Sequence, residues 1–222
     1  MELLVKASSQ VRSGAAPSNA LGPSTYGLTF PERVDVDITA HLDKATGNWS
    51  PKVNKVTGHY SLQARLLPGQ QEVTGPGGNT SQANFCDQVK ELKALGFGAG
   101  VATWYMLNAV VKHEKVHASR FEPALKAAKP GIVSSIESIT LPNAPGMTKA
   151  QAITQFRADP NFQAALVNAQ QLWLAEILTR VAGDHAAGGP TDQAEHKVVD
   201  PMIKKICNHA KSKKWPNCPA CP

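Results

Sequence analysis

Trp104-Tyr105-Met106-Leu107-Asn108-Ala109-Val110-Val111-Lys112-His113-Glu114-Lys115-Val116-His117 is the stretch on which the reading of this chain turns. Its first eight residues are apolar enough to be buried, and Trp104, Leu107, Val111 and Phe121 keep roughly helical spacing. Its last five read His-Glu-x-x-His. Four positions along a helix bring two side chains nearly above one another, so the imidazoles of His113 and His117 can reach one metal ion. Glu114 projects beside them, where it can take a proton from an attacking water. Val110, Val111 and Val116 interleave with the polar residues, so the motif cannot lie wholly on a solvent face. The competing reading is a solvated helix that carries these residues by chance. Gly96, Gly98 and Gly100 punctuate the start of the helical pattern and Pro130-Gly131 its end, with Pro123 kinking or ending the metal-bearing part.

Two histidines leave a catalytic metal site incomplete, because such sites take three protein ligands plus water. The third ligand must come from later in the chain. The candidates are Glu176, His185, Asp192, Glu195 and His196. His196 is the expected one. It sits in the first turns of a helix after a Gly-rich loop, with Asp192 and Asp200 one turn either side, and a carboxylate there can fix the tautomer of the ring. Glu195 is the next alternative. A developing oxyanion usually needs one donor besides the metal, and Tyr60, Tyr105, His185, His209 and Arg120 are the possible donors.

The helical His113-Glu114-x-x-His117 pattern resembles the metal helix of the zincin metallopeptidases. The glycine and third histidine of the metzincin class are absent, since Ala118-Ser119-Arg120-Phe121-Glu122-Pro123 follows instead. The chain is more similar to a bacterial family described as secreted zinc-dependent proteases. In that family the motif is followed, two or more helices later, by a short segment with an Asp, a polar residue and a His. Asp192-Gln193-Ala194-Glu195-His196 looks like that segment, although Thr191 stands where a Tyr is expected and Lys197 where a Gly is common. The resemblance spans about Val34 to Lys205. It implies one catalytic Zn2+ held by His113, His117 and His196, Glu114 as general base, and an amide substrate: a peptide, a protein or a peptidoglycan cross-link. Zincins commonly run an edge strand above the metal to hold an extended substrate, and Tyr60–Leu66 is the strand expected in that place.

The chain has 222 residues and a formal net charge of +6. That length suits one ample domain with a core of its own. The expected organisation is a flexible arm over 1–26 and a zincin-like domain over 27–222, mainly β over 27–83, mainly α over 84–211, with a Cys-containing tail over 212–222. The positive excess gathers at the end, in Lys204, Lys205, Lys211, Lys213 and Lys214. It reads first as a solvated helix face and second as a contact for an anionic surface. No aromatic-rich signature of RNA binding accompanies it, so no specific nucleic acid is expected. No apolar run is long enough to span a membrane. No leader is legible in the opening residues. A secreted or periplasmic location is nevertheless expected, from the low charge, the many Gly and Pro, and the cysteines. The four cysteines suit two disulfides with three possible pairings. Cys86–Cys207 with Cys218–Cys221 is the economical choice over a redox or zinc-knuckle role for Cys218-Pro219-Ala220-Cys221.

Val34–Leu42 alternates apolar and polar residues as a half-buried strand does. Asn48–Val56, broken by Pro51, and Tyr60–Leu66 follow as further strands of a small antiparallel sheet. Asn84–Leu95 reads as a helix and Ile132–Leu141 as a strand, with a short helix as the alternative. Thr148 caps the next helix, and Asp159-Pro160 interrupts it. Phe162–Ala182 is a long helix, and a last one runs from a cap at Thr191 or Asp192 to about Lys211, with Pro201 interrupting it or marking its true first turn. The fold class is therefore α+β, a small N-terminal sheet with four to five helices. The leading function is a zinc-dependent amide hydrolase, including an antibacterial or host-directed effector. Against it stands a non-catalytic metal-binding or anionic-surface-binding module on the same scaffold, or a helical protein with an accidental motif.

Overall fold

The computed structural model describes residues 1–12, 26–95 and 102–222. The glycines at 96, 98 and 100, and half of the stretch expected to be a flexible arm, lie outside these. The elements in order are β1 (Glu2–Arg12), β2 (Gly27–Asp43), β3 (Asn48–Arg65), β4 (Gln71–Glu72), α1 (Phe85–Lys93), β5 (Trp104–Tyr105), α2 (Leu107–Ala118), α3 (Phe121–Glu137), β6 (Leu141–Pro142), α4 (Lys149–Ala158), α5 (Pro160–Val181) and α6 (Pro190–Ser212). The fold is α+β, as expected. Among the described residues it has six helices rather than four or five.

Contacts divide the chain into two compact units. The first comprises Met1–Ser8, Phe30–Ser61 and Ser119–Ala182. The second comprises Ser9–Thr29, Leu62–Ala118 and Gly183–Pro222. Each has its own apolar core.

The main sheet has the order β1-β3-β2, with β6 on β3. Strands β2 and β3 are joined by four residues, a link that only an antiparallel pair can use. In β2 the apolar positions Val34, Ile38 and Ala40 are buried, while Asp35, Asp37 and His41 are exposed, the alternation a one-sided sheet requires. Three expectations change here. The opening residues are not all arm, because Glu2–Arg12 pairs with β3 and its Leu3 and Val5 pack on the first core. The two strands expected over 48–66 are one 18-residue strand; Pro51 lies only three residues in, where few ladder bonds are lost. In the sheet order β3 stands between β1 and β2 rather than at the edge, where the strand over Tyr60–Leu66 was expected.

In the first unit α3 packs along α5. Trp173 on α5 is fully buried, and its indole N–H donates to the Phe121 carbonyl at 3.0 Å. A Cβ at Gly58 would stand 2.8 Å from the Trp173 ring, which is why β3 needs glycine there. Glu137 at the end of α3 accepts from the Val53 amide at 2.9 Å and from Lys52 at 3.0 Å. Residues 132–137, expected as part of a strand, are the last turns of α3. Ile132 and Ile136 are buried one turn apart with Ala128, and this burial outweighs the bond Pro130 cannot make. Thr148 caps α4 in a capping box with Gln151. Asp159 ends α4 and caps α5 through the Asn161 and Phe162 amides, with Pro160 in the first turn.

In the second unit α1 and α2 both pack on α6. Helix α6 begins at Pro190 with Gly189 at its cap, one to two residues before the expected capping side chains, and it runs through Pro201. Cys86 pairs with Cys218, and Cys207 with Cys221. The economical pairing is thus wrong on both bridges. Lys214, with φ of 57°, reverses the chain after α6, and the Trp215 amide donates to the Ala210 carbonyl at 3.0 Å. The tail therefore runs back along α6, bringing Cys221 to Cys207 and Cys218 to the start of α1.

Candidate metal centre

Helix α2 turns its motif inward. Ala109, Val110, His113, Glu114 and His117 are its buried positions, one stripe at helical spacing. The apolar first turns thus seat the two histidines on the face that packs toward α6. The imidazoles of His113 and His117 lie with ring centroids 5.0 Å apart.

The third imidazole is His185, in the link between α5 and α6. Its ring centroid is 5.0 Å from that of His113 and 4.7 Å from that of His117. One nitrogen from each of the three rings lies within 4.8 Å of the others. The link is fixed by its own bonds. Thr191 donates its hydroxyl to the Asp184 carbonyl at 2.5 Å, the Gly189 amide donates to the Ala186 carbonyl at 2.6 Å, and the Gly188 amide donates to Asp192 at 2.8 Å. Gly188 has φ of +69°, and a Cβ on Gly189 would meet three carbonyl oxygens, so this tight turn uses both glycines.

Two of the three rings are held by buried carboxylates. His113 donates its Nδ1 proton to Glu195 at 2.5 Å, and His117 donates its own to Asp184 at 3.2 Å. Both acids are 2 % exposed. With Nδ1 engaged, Nε2 is the nitrogen left on each ring for a metal, and the carboxylate raises its basicity. Glu195 is held in turn by Tyr105, whose hydroxyl donates to its second oxygen at 2.6 Å. Tyr105 is placed by the parallel pairing of β5 with β4 and by the ring of Tyr26, 5.4 Å away edge-on. Burial, then the charge of Glu195, pushes the Tyr105 hydroxyl far up, so it stays a donor.

Glu114, on the same buried stripe, meets the start of β2. Thr29 donates its hydroxyl to the carboxylate at 2.7 Å and lies 3.2 Å from the Glu114 carbonyl. A Cβ at Gly27 would come within 2.6 Å of Glu114 Cγ, so β2 can pass this close only as glycine. Burial raises the Glu114 pKa, opposed by the Thr29 bond and by His113. Burial also pulls His113 down, but the hydrogen bond and charge of Glu195 outweigh it and leave that ring above its ordinary value. His117 moves below its ordinary value, by burial first and then by repulsion from His113, against the pull of Asp184.

The donor set suits a borderline divalent cation. Three imidazoles, two of them with a carboxylate behind, form an open, three-protein-ligand set. Tetrahedral ligands at zinc-like bond lengths stand roughly 3.4 Å apart, so the rings need to close by on the order of 1 Å. His185, exposed on its link, is the one with room to do so.

Four expectations for the site change. His196 lies outside the group of three imidazoles; it is half exposed on α6 and bonds Asp200 at 3.0 Å. Glu195 stands behind that group, bonded to His113. Asp192 accepts from Gly188, and Glu176 pairs with Arg180 on α5 at 3.1 Å. His185, one of the lesser candidates, completes the group instead. Among the expected donors, Tyr105 is spent on Glu195, and His209 packs edge-on against Trp215. Tyr60 packs on Phe121 in the first unit, and Arg120 stands at the N-cap position of α3. Asp184, Thr29 and Gly27 were missed. Asp184-His185, a carboxylate beside a histidine in a Gly-rich link, was the visible signal for the first of these.

Comparison with protein-family models, with curated proteins and with solved structures gives no match to this chain. The functional reading therefore rests on the geometry of these side chains.

Proposed function

We propose that the protein is a zinc-dependent amide hydrolase of the zincin kind, acting on a peptide, protein or peptidoglycan-type substrate. The observation that carries this is the conjunction at α2: three imidazoles converge, two are backed by buried carboxylates, and Glu114 stands next in sequence on the same buried stripe. His113, His117 and His185 would hold the ion, whose chemistry is to polarise a carbonyl and acidify water. Glu195 and Asp184 keep two of these rings in one tautomer and one orientation. Glu114 is the group to accept a proton from the attacking water and return it to the leaving nitrogen. Its raised pKa suits a base working near neutrality, and Thr29 holds one of its oxygens in place. The likeness to the bacterial secreted zinc-protease family now rests on His113, Glu114 and His117, since His196 lies outside the site. Two disulfides are consistent with an oxidising compartment, and among the described residues no helix is long and apolar enough to cross a membrane. Secretion, and an effector role, accord with this reading.

The test is Glu114→Gln in zinc-loaded protein, assayed on a fluorogenic peptide library and on labelled casein. The variant should keep its metal and lose at least about a hundredfold in rate, the lower end of what a positioned acid–base group supplies. Undiminished turnover in this variant, or none in the zinc-loaded wild type, would contradict the proposal.

A further inference from the structure

Helix α6 has two chemically opposite faces. Its buried stripe is Thr191, Glu195, Val199, Ile203, Ile206 and Ala210. At about 100° per residue, Lys197, Lys204 and Lys211 fall within roughly 40° of one another on the far side, in a row about 21 Å long. All three are exposed, as are Lys205, Lys213 and Lys214. From Lys197 to Pro222 the chain has six lysines against one carboxylate side chain, Asp200, which lies on the same outer face and is paired with His196 at 3.0 Å. Among the described residues none of these six lysines has a carboxylate partner.

The basic end is also rigidly placed. Trp215 packs on Phe85 at 5.3 Å and on His209 at 5.2 Å, and the two disulfides fasten the tail to α1 and α6. The backbone that carries these cations is therefore fixed before contact, and only the lysine side chains have freedom to lose. No large apolar side chain is exposed along this segment; those that are, Met1, Val167 and Leu178, lie elsewhere in the chain. The face offers charge without an inserting wedge.

We propose that the outer face of α6, from Lys197 to Lys214, docks on an anionic phospholipid bilayer. The chemistry favours a bilayer over a linear polyanion. The cations are all lysine, and no arginine follows Arg180, so nothing provides the bidentate fork that reads individual phosphates. Along this segment no aromatic side chain is exposed, so no stacking platform accompanies the lysines. A straight row of point charges instead matches head groups that can move laterally to meet it. Glu195, on the opposite face of α6, is turned away from the bound surface. The inference is independent of the hydrolase reading.

The experiment is co-sedimentation of the full chain with phosphatidylcholine vesicles, with and without phosphatidylglycerol, at low and high salt. The triple variant Lys197→Gln/Lys204→Gln/Lys211→Gln is compared with Lys44→Gln/Lys126→Gln/Lys149→Gln, which removes the same charge from exposed sites in the first unit. Binding should need phosphatidylglycerol and disappear at high salt. Each lysine at a charged bilayer contributes about fivefold, so the α6 variant should lose about a hundredfold in partition and the control far less. Equal losses in the two variants would overturn the proposal, as would binding to neutral vesicles. Capture by heparin without vesicle partition would overturn it in favour of a linear polyanion.

Discussion

Replacing Glu195 by Gln keeps the shape of a side chain that lies against His113 and Tyr105 and removes its charge and one of its two acceptor oxygens. In the wild type this carboxylate accepts from His113 Nδ1 at 2.5 Å and from Tyr105 at 2.6 Å in a site 2 % exposed. Losing such an oriented acceptor behind a metal-binding imidazole typically weakens metal affinity by about 10- to 100-fold, or about 1.4–2.7 kcal/mol. The effect should depend on pH, with a sign the structure sets. Burial lowers the His113 pKa, but the Glu195 bond and charge more than restore it, so in the wild type a proton competes with the metal to a higher pH than for an ordinary imidazole. Without the charge that competition ends at lower pH. The wild-type advantage should therefore be small near pH 6 and full near pH 8, well above the ordinary imidazole pKa of about 6.5. Competition for Zn2+ against a chromophoric chelator, run across this range, measures both proteins. Equal affinities at pH 8 would refute the role given to Glu195, and a loss greatest at acid pH would refute the electrostatic argument.

Gly58→Ala forces a methyl against the fully buried Trp173 ring and should cost about 1–3 kcal/mol by overpacking, read as a lowered midpoint in urea. Peptide mapping without reduction should recover Cys86 joined to Cys218 and Cys207 joined to Cys221. The paired variant Cys86→Ser/Cys218→Ser opens the bridge of 132-residue separation and should lose about 2–5 kcal/mol of stability. An unchanged thermal midpoint would show that this bridge constrains little.

What could be read in the sequence was what is local. His113, Glu114 and His117 are tied by helix pitch alone, and the flanking valines said that the helix was buried. The alternation of Val34–Leu42 and the Thr148 and Asp159-Pro160 signals likewise depend on near neighbours. The third ligand depends on a return of the chain across 67 residues from His117, through an irregular link shaped by Thr191, Gly188 and Gly189. Position in a helix favoured His196, but α6 turns that residue outward and buries Glu195 instead, one residue and about 100° away. The disulfides follow from the reversal at Lys214, a left-handed residue that is not glycine and so left no mark in the sequence. Pro130-Gly131 and Pro51 read as breaks, yet buried Ile132 and Ile136 carry α3 past the first, and pairing along the rest of β3 outweighs the second. Local punctuation predicts boundaries only where tertiary burial does not override it.

The most direct measurement is zinc stoichiometry, by mass spectrometry of native protein, for the wild type, His185→Ala and His196→Ala side by side. Three converging imidazoles predict about one tightly held ion in the wild type, its loss in His185→Ala, and its retention in His196→Ala. A wild type that takes up no metal, or a metal lost with His196 and kept without His185, would contradict the assignment of the centre.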